Sequence, residues 1–249
     1  MRLHLSRTLR TNVEPSPNVI RVAAMFGLGV DASREIDLIP PTTIELCPGR
    51  VIFITGSSGG GKSTLLHLIA DQLEPRDDAA LIRFDALPDP PDRPLVDGFD
   101  GLPLEEVLRI LSIAGLNDAF VMLRRPAELS DGQRYRLRLA QTIALVERSP
   151  AGTLPVVIAD EFGATLDRVT AKVIASNVRK WVTRRGVCFI AATTHDDLLE
   201  PLQPDLLVDK ALGQSIEVIR RGEKSGNPGK TKNAGKTSNF DRFDRGASR

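Results

Sequence analysis

Aromatic residues make up only 4% of this 249-residue chain, with one tryptophan and one tyrosine, too few for a platform on which nucleic-acid bases stack. Two cysteines, Cys47 and Cys188, cannot build a disulfide scaffold and suit a reducing interior. No apolar run is longer than the six residues Val187–Ala192, against the roughly 20 that a membrane helix needs. The amino terminus carries arginines but lacks the apolar stretch of a secretory signal. Neither sign of charge dominates, since 33 Lys+Arg oppose 32 Asp+Glu, so the molecule as a whole is not drawn to polyanions. These absences leave a soluble, cytoplasmic protein as the expectation. With 41% hydrophobic content, the chain can bury a large α/β core.

Composition shifts once. Residues Gly222–Arg249 hold seven Lys/Arg against three acids, with five glycines and three serines. Such a segment buries too little to offset its ordering entropy and is expected to be a disordered basic tail. Upstream, short β-branched runs alternate with helical periodicity, the pattern of βα units around a mainly parallel sheet. Val51–Ile54 reads as a strand entering a glycine-rich turn, with a helix over Ser63–Gln72. Val156–Ala159 and Val187–Ala192 read as further buried strands, with a helix over Thr170–Thr183 between them. Leu104, Val107, Leu108 and Leu111 fall on one helical stripe ahead of a stop at Gly115. No internal repeat is visible.

The glycine-rich turn Gly56-Ser57-Ser58-Gly59-Gly60-Gly61-Lys62-Ser63, followed by Thr64, fits the phosphate-loop pattern G-x-x-x-x-G-K-[ST] in the strand-to-helix setting it requires. Glycines let backbone N–H groups turn inward around phosphate oxygens, and the helix N-terminus adds positive potential. Lys62 is expected to reach the outer phosphates and Ser63 to ligate Mg²⁺. Asp160 and Glu161 end the strand Val156–Ala159. Beside a phosphate loop, Asp160 suits a metal-holding role and Glu161 that of a general base for the attacking water. Alone, the same pair reads as a solvated turn.

The segment Leu129-Ser130-Asp131-Gly132-Gln133 opens a further helix, and its serine cap with following N–H groups makes a second anion site. Here the sequence resembles the ABC-type ATPases, whose signature reads L-S-G-G-Q; four of five positions match, in the family's order of motifs. The resemblance covers residues 19–221, with 1–18 as an N-terminal extension and 222–249 as the tail. It implies an α/β P-loop NTPase fold with a mainly parallel sheet, an N-terminal antiparallel β portion and a shortened helical lobe near residues 98–145. It implies ATP and Mg²⁺ as ligands. It further implies that Ser130, Gly132 and Gln133 close over the γ-phosphate held by a second copy, giving a homodimer with ATP at its interface. Ala164-Thr165-Leu166-Asp167 resembles the family's dimer-contact loop, and Thr194-His195-Asp196 its switch histidine, so His195 is expected at the γ-phosphate. Phe26 is a candidate for stacking on adenine, with a core phenylalanine as the alternative.

Three departures bear on function. Asp131 replaces a glycine and must turn away from phosphate or weaken its binding. No glutamine marks the loop that normally faces the metal, and Asp97 is the nearest substitute, expected to reach Mg²⁺. Only 32 residues separate Asp97 from Leu129, a short lobe for gripping a membrane subunit. The chain looks closest to soluble ABC-type ATPases often joined to a predicted acetyltransferase domain, which residues 1–18 are too short to hold. The expectation is a soluble ATPase driving an unidentified protein partner. The alternatives are the nucleotide-binding subunit of a membrane transporter and an ATP-sensing scaffold with little turnover. Arg134, Arg136 and Arg138 with Tyr135 form a basic cluster, which together with the tail makes nucleic acid a further candidate partner.

Overall fold

A computed structural model of the chain describes residues 1–12, 14–30, 33–210 and 215–221. The tail expected over 222–249 lies outside the described residues. Period-two alternation builds the centre of the molecule. In β3 (Val51–Thr55), β5 (Leu154–Ala159) and β6 (Cys188–Ala192) nearly every residue is buried, as strands covered on both faces must be. Val51, Phe53, Val157, Ala159, Phe189 and Ala191 face one side, packed with the helical lobe and α6 (Arg168–Arg185). Ile52, Ile54, Val156, Ile158, Ile190 and Ala192 face the other, against α2 (Lys62–Leu73) and the amino-terminal strands. Trp181 of α6 is fully buried.

β4 (Ala79–Arg83), β7 (Leu206–Lys210) and β8 (Ile216–Arg220) complete a six-stranded sheet in the order β4-β5-β6-β3-β7-β8. The first five are mutually parallel and β8 runs antiparallel to β7. All five parallel strands therefore end at one edge, where open α/β sheets place ligands. Between β4 and β5 lies the lobe of α3 (Leu104–Ile113), α4 (Ala119–Met122) and α5 (Asp131–Glu147). The apolar stripe expected on α3 is rotated: Val107, Ile110 and Leu111 are buried, while Leu104 and Leu108 face outward.

Residues 1–18 do not form a separate extension. β1 (Arg2–Asn12) pairs antiparallel with β2 (Ser33–Glu45), and its Leu3 and Leu5 are buried in the same cluster as α2. The connection carries α1 (Pro17–Met25), capped by Ser16, whose side chain accepts from the Val19 N–H at 3.3 Å. None of the α1 residues is buried. Among the described residues, no helix is long and apolar enough to cross a membrane.

Candidate functional site

An open cleft of about 360 Å³ lies at the carboxyl ends of β3, β5 and β6, lined by the phosphate-loop residues Ser58–Thr64 except Gly60, together with Asp160, Glu161, Ala164, Thr193 and Thr194. The loop's shape is set by close packing. Gly56 has φ +134°, and a Cβ there would stand 2.0 Å from the Lys210 carbonyl of β7; no other residue fits. Gly61 at the N-cap of α2 has φ +96°, a left-handed turn that aims the first N–H groups of α2 outward. The Lys62 Nζ donates to the Gly56 and Ser57 carbonyls, each at 2.9 Å, which holds the cation over the loop it would share with phosphate.

Asp160 and Glu161 leave β5 in a tight turn. The Glu161 N–H donates to Asp160 Oδ1 at 2.9 Å, and Glu161 itself has φ +48°, a left-handed conformation that costs about 1–3 kcal/mol in a non-glycine residue. Such strain concentrates where a side chain must be aimed. A Ser63 hydroxyl and an Asp160 carboxylate on one wall are hard oxygen donors that fit Mg²⁺, which takes few protein ligands and completes its shell with phosphate and water.

His195 follows Thr193 and Thr194 at the end of β6, its N–H donating to Thr193 Oγ1 at 3.2 Å. The two acids after it are both engaged. Asp196 Oδ1 accepts from the Thr55 hydroxyl at 2.9 Å, at the mouth of the phosphate loop. Asp197 pairs with Arg168 at the start of α6 and with Lys172. Burial alone would raise the Asp197 carboxyl, but the hydrogen bond and charge of Arg168, with the charge of Lys172 and a backbone hydrogen bond, together hold that carboxyl below the usual range. Asp209 at the end of β7 goes the other way: burial, then the charge of Asp196, push its carboxyl up.

The remaining expected residues stand elsewhere. Ser130, Gly132 and Gln133 form the N-terminus of α5, outside the cleft wall of their own chain. The Gln133 N–H donates to Ser130 Oγ at 3.3 Å and the Ser130 N–H to Gln133 Oε1 at 3.0 Å, a reciprocal capping box. Asp131 pairs with Arg134, which donates to it at 2.7 Å on the exposed face of α5. Phe26 is 75% exposed just past α1, which excludes the core alternative. Asp97 is not at a strand end. It closes a short 3₁₀ turn, residues 95–97, leading into the lobe, and is absent from the cleft wall. Asp85, overlooked in the sequence, is also outside the cleft wall and paired with Arg83 at 3.4 Å, but by register it sits beside the site: Asp85 and Asp160 each lie two residues past the paired positions Arg83 and Ile158. Its signal was the short apolar run of β4, legible only once β4 is known to flank β5.

A six-stranded α/β sheet with a phosphate loop between β3 and α2 defines a P-loop NTPase. A family model described as ABC transporter matches residues 40–98. The chain is 23% identical to the lipoprotein-releasing system ATP-binding protein LolD of Maricaulis maris, over 72% of this chain and 89% of that protein. It is 30% identical to the alpha-hemolysin translocation ATP-binding protein HlyB of Proteus vulgaris, over 74% of this chain but 29% of that one. Its fold is similar to the dimeric post-hydrolysis structure of the ATP-binding cassette MJ0796 bound to ADP and Pi. That likeness has a TM-score of 0.54 at 18% identity and covers 75% of this chain and 93% of the cassette. The matched family, these relatives and this cassette are ABC proteins, whose characteristic activity is ATP hydrolysis, and the chain is similar to them.

Proposed function

We propose that the chain works as a cytoplasmic ATPase in which two copies close head to tail over two ATP molecules, and that this closure moves a partner protein. One observation carries the reading: the phosphate loop, Asp160 and Glu161 share a cleft, whereas the serine-capped end of α5 lies outside it in the same chain. A second copy can therefore supply that helix end to the open side of the cleft, its N–H groups facing phosphate. The dimer reported for MJ0796 supports this arrangement.

Within each cleft, the Lys62 ammonium exchanges its loop carbonyls for phosphate oxygens and offsets their charge. Ser63 and Asp160 would hold Mg²⁺, which when bound neutralises charge building up on the outer phosphates. Glu161, held on its strained turn, accepts the proton of the attacking water. His195, next to the cleft-lining Thr194, would reach toward the γ-phosphate from the end of β6. Asp85, rather than Asp97, is the further carboxylate near the metal's waters, and Phe26 offers its exposed ring to adenine. Two of the three arginines expected to attract nucleic acid are tied within α5 and its surroundings: Arg134 to Asp131, and Arg136 to the Gly115 and Gly132 carbonyls. That weighs against a nucleic-acid partner.

A second reading, the ATP-binding subunit of a membrane transporter, draws on the relatives' names and on the exposed apolar residues Leu104, Phe120 and Leu123 of the lobe. Co-purification in ATP separates the two: a membrane-spanning protein retained by the trapped dimer favours the second, a soluble client the first. Catalysis itself is tested by Glu161→Gln. Phosphate release should fall by about a hundredfold or more while ATP affinity stays near wild type; unchanged release would contradict the mechanism.

A further inference from the structure

The only tyrosine of the chain stands where three parts of the site meet. Tyr135 lies early in α5, just past the capping box of Ser130 and Gln133. Its hydroxyl oxygen accepts the Gly163 N–H at 2.8 Å, two residues beyond Glu161. Its ring packs on Phe84 with centroids 5.0 Å apart, and Phe84 directly precedes Asp85 at the end of β4. Burial pushes the phenol well above its usual range, so the hydroxyl stays neutral.

The Glu161 turn needs such an anchor. Its left-handed backbone is closed by the Ala164 N–H donating to the Glu161 carbonyl at 3.0 Å and by the Phe162 N–H donating to Ala192 of β6 at 2.9 Å. These bonds tie the turn to itself and to the sheet. The Gly163–Tyr135 bond ties it to the helical lobe. We propose that Tyr135 is a positioning residue, holding the Glu161 turn in its strained form and locking it to the helix end that serves the partner copy's nucleotide. This rests on the base role of Glu161 and deepens it.

Tyr135→Phe keeps the ring on Phe84 and removes the hydroxyl. Turnover should fall about two- to tenfold, the scale of one net hydrogen bond, with KM for ATP within about twofold of wild type. A role in folding alone would shift thermal stability and leave kcat of the folded enzyme unchanged. In the Glu161→Gln background the same substitution should cause no further loss, because the group that it positions is already gone. Unchanged kcat in Tyr135→Phe overturns the proposal, as does an equal loss in both backgrounds. Wild-type turnover by Glu161→Gln strikes instead at the base role of Glu161.

Discussion

The two ends of the parallel sheet carry hollows of opposite character. At the amino ends of β4, β5 and β6 a cavity of about 710 Å³ is lined by residues such as Met1, Leu46, Pro48, Pro150 and Gly186, roughly twice the volume of the phosphate cleft at the carboxyl ends. Asp78, Arg185, Ser149 and Thr153 also line it, but no glycine-rich loop leads from it into a helix N-terminus. At the carboxyl ends, glycines free backbone N–H groups, a helix begins, and a lysine, a serine and two carboxylates meet in the smaller space. Volume does not make the site; the direction of the strands does, because only their carboxyl ends feed loops into helix N-termini.

That contrast separates stability from turnover, and substitutions at each end should show it. The largest stability effect belongs to the amino end. Asp205 accepts from the Val51 N–H at 2.9 Å and from Arg179 at 2.6 Å, with both side chains about four-fifths buried. Asp205→Ala should cost about 2–3 kcal/mol, the worth of charge-assisted bonds, or roughly 5–10 °C in Tm for a chain of this size. KM for ATP should hold steady, and a large change in KM would blur the contrast.

Next comes a pair at the carboxyl end. Asp85→Ala should lower turnover by about tenfold, equivalent to about 1.4 kcal/mol, with little effect on Tm. Asp97→Ala should leave turnover near wild type; the reverse pattern would restore the placement expected from sequence. The smallest effect is electrostatic. Because the carboxyl of Asp209 is raised in the folded chain by burial and by Asp196, ionising it opposes folding. Its contribution is therefore fully present below the unfolded pKa and is lost as pH rises through the folded value. Asp209→Asn should raise Tm by no more than a few degrees at pH 7, and the gain should vanish below roughly pH 4. A gain that grows in acid would contradict the assignment.

Legibility in the sequence followed the same division. The strands over 51–55, 154–159 and 188–192 and the phosphate loop were readable because each is a local signal: an apolar run, ended by glycines after the first strand, by carboxylates after the second and by Thr193-Thr194-His195 after the third. The antiparallel amino-terminal strands came only from the resemblance and not from a local signal, since among its described side chains β1 buries only Leu3 and Leu5 and β2 contains Pro40 and Pro41, residues that argue against a strand. Asp85 was missed because its place depends on β4 lying beside β5. Tyr135 was read only as part of a basic cluster, because its contacts with Phe84 and Gly163 are encoded by no spacing along the chain. Side chains that touch phosphate can be read from motifs, but those that hold them in place come from packing.

The central claim is that each working site joins the phosphate loop of one copy to the α5 end of another, and mixing two inactive variants tests it most directly. Glu161→Gln retains an intact helix end, while Ser130→Arg retains an intact phosphate loop and Glu161. Combined in equal amounts with ATP and Mg²⁺, they should recover up to about a quarter of wild-type phosphate release, because half of the dimers would hold one complete site. A mixture no more active than the two variants measured separately would contradict the account.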